Sequence, residues 1–110
     1  MKKCLFCQII KGEVPAQIVY QSDNIIIFPD ISPSADVHLL IVPKEHIETF
    51  HDLDSKHGKM LSEIYQVASK LIKDNNLENN SYRVVVNGGK AQHIKHLHFH
   101  LLGGKWKKQI

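Results

Sequence analysis

His96-Leu97-His98-Phe99-His100-Leu101 alternates imidazole with apolar side chains. On an extended strand a period of two sends the three histidines to one face and Leu97, Phe99 and Leu101 to the other. The apolar face belongs against a core. The opposite face then presents three imidazoles in a row, and Gly103-Gly104 is predicted to end the strand after Leu102. Alternate strand residues lie ~6.7 Å apart, so the outer two rings are separated by roughly 13 Å. One metal ion, with bonds of about 2.0–2.1 Å to nitrogen, takes two neighbours of such a row but hardly three. An extended ligand such as a nucleotide phosphate chain suits it better, and neutral imidazole is a nucleophile toward phosphorus near neutral pH. The plainer alternative is three solvated histidines on a half-exposed strand, which strict alternation disfavours.

Outward from that run, Tyr82 to Val86 reads as a strand ended by Asn87-Gly88-Gly89. Upstream of it, Met60, Leu61, Ile64, Val67, Ala68, Leu71 and Ile72 recur at three- and four-residue spacing, which predicts a long helix capped by Asp54 or Ser55. Lys70 and Lys73 sit near its end, where cations favour the helix dipole. Leu39-Leu40-Ile41-Val42 is an apolar strand closed by Pro43, and Ile18-Val19-Tyr20 with Ile25-Ile26-Ile27-Phe28 reads as a hairpin around Ser22-Asp23-Asn24. Leu5 to Lys11 is a short helix or turn, stopped by Gly12 and Pro15. Five strands, one long helix and a short N-terminal helix predict an α+β fold, an antiparallel sheet covered by the helix.

With 110 residues and neither repeat nor linker, the chain reads as one domain over 1–110. A hydrophobic content of 43% and a charged content of 23% are those of an ordinary soluble protein. Mean hydropathy is -0.22, and no apolar run approaches the ~18 residues of a membrane span. Met1-Lys2-Lys3 leads into too weak an apolar stretch for a secretory signal, so a cytoplasmic location is expected. The net charge is only +3, and Arg83 is the single arginine, which argues against a reader of nucleic-acid bases. Eight histidines are the compositional anomaly. Cys4 and Cys7 are too close for a disulfide to constrain the unfolded chain much, which leaves metal binding or a redox pair.

His96 to Leu102 resembles the signature of the histidine triad (HIT) family, His-x-His-x-His followed by two apolar residues. The segments Cys4–Ala16, Phe28-Pro29-Asp30-Ile31-Ser32-Pro33, His38 to His46 and Leu101-Leu102-Gly103-Gly104 are similar to family segments in the same order, closest to its Hint-like branch. The resemblance implies a hydrolase of purine nucleoside 5′-phosphoramidates, releasing a nucleoside monophosphate and an amine. His98 would attack the α-phosphorus and form a nucleotidyl-histidine intermediate. His100 would steady charge on the phosphate oxygens, with His38 and His96 as supporting histidines. Asn87 matches a position contacting phosphate or ribose, and Asp30 and Ile31 match ribose- and base-side positions. On residue type alone Asn87 is equally turn chemistry, Asp30 a loop cap, Ile31 a core residue and His38 a structural histidine. His51 and His57 match no family role and are expected at the solvated surface.

Some family members hold one zinc through residues that match Cys4, Cys7, His46 and His96. Such a closed Cys₂His₂ set is structural, so no cofactor is expected in the chemistry itself. The resemblance also implies a homodimer, built on the helix and a shared sheet. Three departures fall beside the leaving-group side. Ala91-Gln92-His93 stands where Gly-Gln-Ser or Gly-Gln-Thr is usual, Lys95 replaces a common aromatic residue, and the loop from Asn87 is shorter. His93 is therefore either a general acid toward the amine or a solvent-facing side chain. Lys105-Trp106-Lys107-Lys108-Gln109-Ile110 is either a specificity element or a solvated tail. The rival functions are an AMP-type nucleotide-binding regulator with little turnover, a dinucleoside polyphosphate hydrolase, and a zinc-dependent interaction module.

Overall fold

The apolar runs of the central strands decide the architecture, because residues of both parities need cover. In the computed structural model, which describes residues 4–108, five antiparallel strands form one sheet. They are β1 (Tyr20–Gln21), β2 (Ile25–Pro29), β3 (Ala35–Pro43), β4 (Tyr82–Val86) and β5 (Phe99–Trp106), in the spatial order β1-β2-β3-β5-β4. Ile25, Ile27, Leu39, Ile41 and Leu101 pack on one face against Met60, Ile64 and Ala68 of helix α2 (Gly58–Asp74). Ile26, Phe28, Leu40 and Val42 pack on the other face against Phe6 of helix α1 (Leu5–Ile10). The short N-terminal helix is therefore a third layer, and it covers the histidine face of the sheet.

Asp54 caps the start of the long helical stretch, accepting from the Lys56 amide at 3.0 Å. The first turn is 3₁₀, over Ser55–His57, so α2 proper begins at Gly58. His57 is 5% exposed rather than solvated, and its Nδ1 accepts from the Asp54 amide at 3.0 Å, completing a reciprocal cap.

The last strand differs from its sequence reading at both ends. His96, Leu97 and His98 precede it; the Leu97 amide donates to Ile47 instead, at 2.6 Å, and ladder pairing begins at Phe99. Gly103-Gly104 does not end the strand, which continues to Trp106. A Cβ on Gly103 would overlap the buried Leu77 side chain. Gly104 has φ +81°, and beside it the Asp36 carboxylate accepts from the Lys105 amide at 2.9 Å where the β3–β5 register shifts. These glycines bend and pack a strand instead of breaking it. No helix among the described residues is long and apolar enough to cross a membrane.

Candidate active site

Backbone partners settle which nitrogen of each histidine carries the proton, since a carbonyl only accepts and an amide only donates. His98 Nδ1–H donates to the His96 carbonyl at 2.8 Å, so its Nε2 keeps a free lone pair. His38 Nδ1 accepts from the Ser34 amide at 3.0 Å, which puts a proton on its Nε2. That Nε2–H donates to His100 Nδ1 at 2.9 Å. His100 Nε2 is therefore the protonated nitrogen, buried and without a partner among the described residues. The His98 and His100 rings stand 5.0 Å apart, centroid to centroid. A bare nitrogen thus lies beside an N–H donor with nothing to donate to, an arrangement that fits attack on an anionic centre whose oxygens take the N–H.

The surroundings keep His100 uncharged. Burial, then the adjacent His98 and His38 rings, pushes the His100 pKa down to about 4. Burial lowers that of His38 too, against the pull of Asp30, whose Oδ2 is 3.5 Å from His38 Nε2. Asp30, His38 and His100 are close enough together to suggest a metal site. The Ser34 amide argues otherwise, since ligation through His38 Nε2 would require an imidazolate.

The pair opens into a cleft of about 690 Å³, within the size range of small-molecule sites. Phe6, Ile9, Phe28, Leu40 and Ile94 give it apolar walls, and Asp30, Asn87, His93, His98 and His100 supply polar groups. Phe6 sets its edge against the His98 ring at 5.0 Å. Ile31 lies at the cleft fully exposed, which excludes a core role for it.

His96 lies behind the cleft. Its Nε2–H donates to the Pro43 carbonyl at 2.7 Å, and its Nδ1 faces Cys4 Sγ at 3.3 Å and Cys7 Sγ at 3.6 Å. His46 Nδ1 meets Cys7 Sγ at 3.3 Å, and one donor atom from each of Cys4, Cys7, His46 and His96 lies within 4.8 Å of the others. Burial, then the neighbouring Cys4 thiol, raises the Cys7 pKa. Burial lowers that of His96.

Solved structures of related proteins share this fold. A family model described as "Scavenger mRNA decapping enzyme C-term binding" matches residues 3–110. A purine nucleoside phosphoramidase of Escherichia coli (strain K12) is 37% identical over 106 residues, 94% of this chain and 89% of the relative. The crystal structure of a HIT family hydrolase from Legionella pneumophila superposes with a TM-score of 0.90 at 42% identity, covering 96% of both chains. A histidine triad protein from Clostridium difficile gives a TM-score of 0.87 at 36% identity, covering 100% of this chain and 99% of that one. The chain belongs to the histidine triad (HIT) family of hydrolases.

Within this HIT fold the three triad rings do share a sheet face, but only His98 and His100 line the cleft. The expected row of three is a pair plus one, since both nitrogens of His96 are engaged away from the cleft. His38, Asp30, Asn87 and His93 all come to the pair or to the cleft that it lines. His51 is exposed as expected. Two contributors escaped the sequence reading. Ser34 fixes the His38 tautomer through its amide, and a backbone donor leaves no compositional signal. Phe6 lies in a segment noted for its cysteines, and only the packing of α1 brings it onto His98. Gln92, the middle residue of Ala91-Gln92-His93, has a structural role. It is buried, donating to Glu48 O at 2.6 Å and Ile94 O at 2.9 Å, and so anchors the approach to the triad.

Proposed function

We propose that this HIT hydrolase cleaves the P–N bond of purine nucleoside 5′-phosphoramidates. The observation that carries this reading is the free Nε2 of His98 beside the unpartnered Nε2–H of His100, and the activity named for the Escherichia coli relative supports the choice of substrate. His98 Nε2 attacks the α-phosphorus and the P–N bond breaks. Its electron pair leaves with nitrogen, which takes a proton from water and departs as the amine. A water molecule then displaces His98 from phosphorus, giving the nucleoside monophosphate and returning one proton. His100 donates to a phosphoryl oxygen throughout, as a neutral group, so its contribution strengthens as charge builds on that oxygen. Asp30 accepts from ribose hydroxyls, Asn87 donates near the phosphate, Ile31 covers the base, and His93 faces the leaving group.

We further propose a structural zinc on Cys4, Cys7, His46 and His96. Tetrahedral bonds of about 2.3 Å to sulfur and 2.0–2.1 Å to nitrogen separate S and N by about 3.6 Å, which the 3.3 Å and 3.6 Å separations approach. The Pro43 carbonyl on His96 Nε2 is the outer contact that orients a ligating imidazole. Held by all four residues, such an ion would leave no open position for chemistry and would pin α1, hence Phe6, over the sheet. The reduced thiols that this needs fit a cytoplasmic location.

A homodimer is proposed along β4. This edge strand exposes Tyr82, Arg83 and Val84, and beside it Tyr65 of α2 is 72% exposed. Pairing two edges would cover an unpaired ladder and this apolar surface together. Sedimentation of wild type and Val84→Glu tests it, with a dimer and a monomer expected in turn.

The functional test is AMP release from adenosine 5′-phosphoramidate by wild type and by His98→Ala. Turnover in the first and none in the second supports the reading. AMP binding without turnover in wild type points instead to a nucleotide-binding regulator.

A further inference from the structure

The segment after β5 reaches back to the loop between β2 and β3, which holds the nucleoside-side residues of the proposed site. The Lys107 and Lys108 amides donate to the Ser34 carbonyl at 2.8 and 3.3 Å. Lys108 Nζ donates to Ser32 Oγ at 2.7 Å and to the Ser32 carbonyl at 3.3 Å. Both serines connect inward. The Ser32 amide donates to Asp30 Oδ1 at 2.8 Å, and the Ser34 amide is the donor to His38 Nδ1. Every contact between tail and loop therefore falls on a residue that orients either Asp30 or His38.

We propose that Lys107–Lys108 is a strap that sets the 30–34 loop, with Lys108 a positioning residue for recognition of the nucleoside. The inference rests on the phosphoramidate reading above for what the loop recognises, and on the hydrogen bonds alone for the strap. The loop has no regular pairing of its own between Pro29 and Ala35, and it contains Pro33, which has no N–H to donate. Ser32 is exposed and Ile31 is fully exposed at the cleft edge, so little packing holds this part of the loop. Lys108 supplies what packing does not: a cation with donors on both Ser32 oxygens, held by a backbone that is itself bonded to Ser34. It also places a positive charge near His38, which favours the neutral ring, as burial does.

The test compares wild type, Lys108→Ala, Lys108→Arg, Ser32→Ala and a chain ending at Trp106. Three measurements are made on each: KM and kcat for adenosine 5′-phosphoramidate, Kd for AMP, and amide hydrogen exchange at Ser32 and Ser34. Lys108→Ala and the shortened chain should raise KM and Kd about fivefold with kcat within about twofold, the size expected from one lost charge-assisted contact at the surface. Lys108→Arg should recover most of that loss, and Ser32→Ala should fall between. Exchange at Ser34 should quicken about tenfold in Lys108→Ala while α2 amides keep their rates. KM and Kd within twofold of wild type in both Lys108→Ala and the shortened chain would overturn the proposal. So would a Lys108→Arg variant no better than Lys108→Ala. A wild type that neither binds AMP nor turns over defeats the phosphoramidate reading, and exchange then decides the strap. Faster Ser34 exchange in Lys108→Ala supports it, and equal rates overturn it.

Discussion

His96 and His98 stand two residues apart, share a sheet face and both meet Phe6, at ring separations of 5.8 and 5.0 Å. They are nonetheless opposite in chemistry. A backbone carbonyl takes the Nε2 proton of His96 and leaves Nδ1 to the cysteines. A backbone carbonyl takes the Nδ1 proton of His98 and leaves Nε2 to the cleft. The partner of one ring nitrogen assigns the work of the other. On the proposed reading, one imidazole is part of a metal clamp and the next a nucleophile.

The contrast breaks first at His98. His98→Ala should lower kcat by at least about 10³-fold, whereas His96→Ala should cost far less, because the His96 carbonyl that orients His98 is backbone and survives the change. Single-turnover kinetics and trapping of the nucleotidyl intermediate check this, and equal losses would end the division of labour. His100→Ala should lower kcat about 10²–10³-fold with the fold intact, as loss of one preorganised donor does. On the clamp side, Cys4→Ser or His96→Ala should abolish zinc binding, and chelation of the wild type should lower Tm by about 5 °C or more. Elemental analysis with calorimetry reads both. A chelator that stops turnover without lowering Tm would make the ion catalytic.

A smaller effect follows from the cleft's neutral histidines. His100 folds with its pKa pushed down to about 4 from 6.5, and burial shifts His38 the same way. Between those two values the unfolded chain binds more protons than the folded one. Stability is therefore fully present above pH 6.5 and is lost as pH falls towards 4. Thermal unfolding across that window should show the decline, and His100→Gln should flatten it. Smallest of all, Ile31→Ala should raise KM about two- to threefold, since only contact with a base would remove that fully exposed side chain from water.

Much of the fold was legible because burial writes periodicity into sequence. The run of β4 and the apolar face of α2 follow from spacing alone. The ends of β5 did not, since Gly103 and Gly104 look like a terminator until Leu77 and Asp36 are seen against them. His57 misled for a related reason. Its cap with Asp54 is local, but its burial comes from how the turn seats on the rest of the fold. Of the site, the triad and the cysteine pair announce themselves by spacing. The Ser34 amide, the reach of Lys108 to Ser32 and the edge of Phe6 on His98 do not.

By itself, the sequence determined which residues are present to do chemistry and which face each strand turns to the core, because alternation and helical period are properties of local backbone geometry. Only the tertiary structure decided what each histidine does. A ring's reactive nitrogen is whichever one its neighbours leave free, and two of those neighbours (Pro43 for His96, His38 for His100) lie 53 and 62 positions away along the chain, separations that no local pattern encodes.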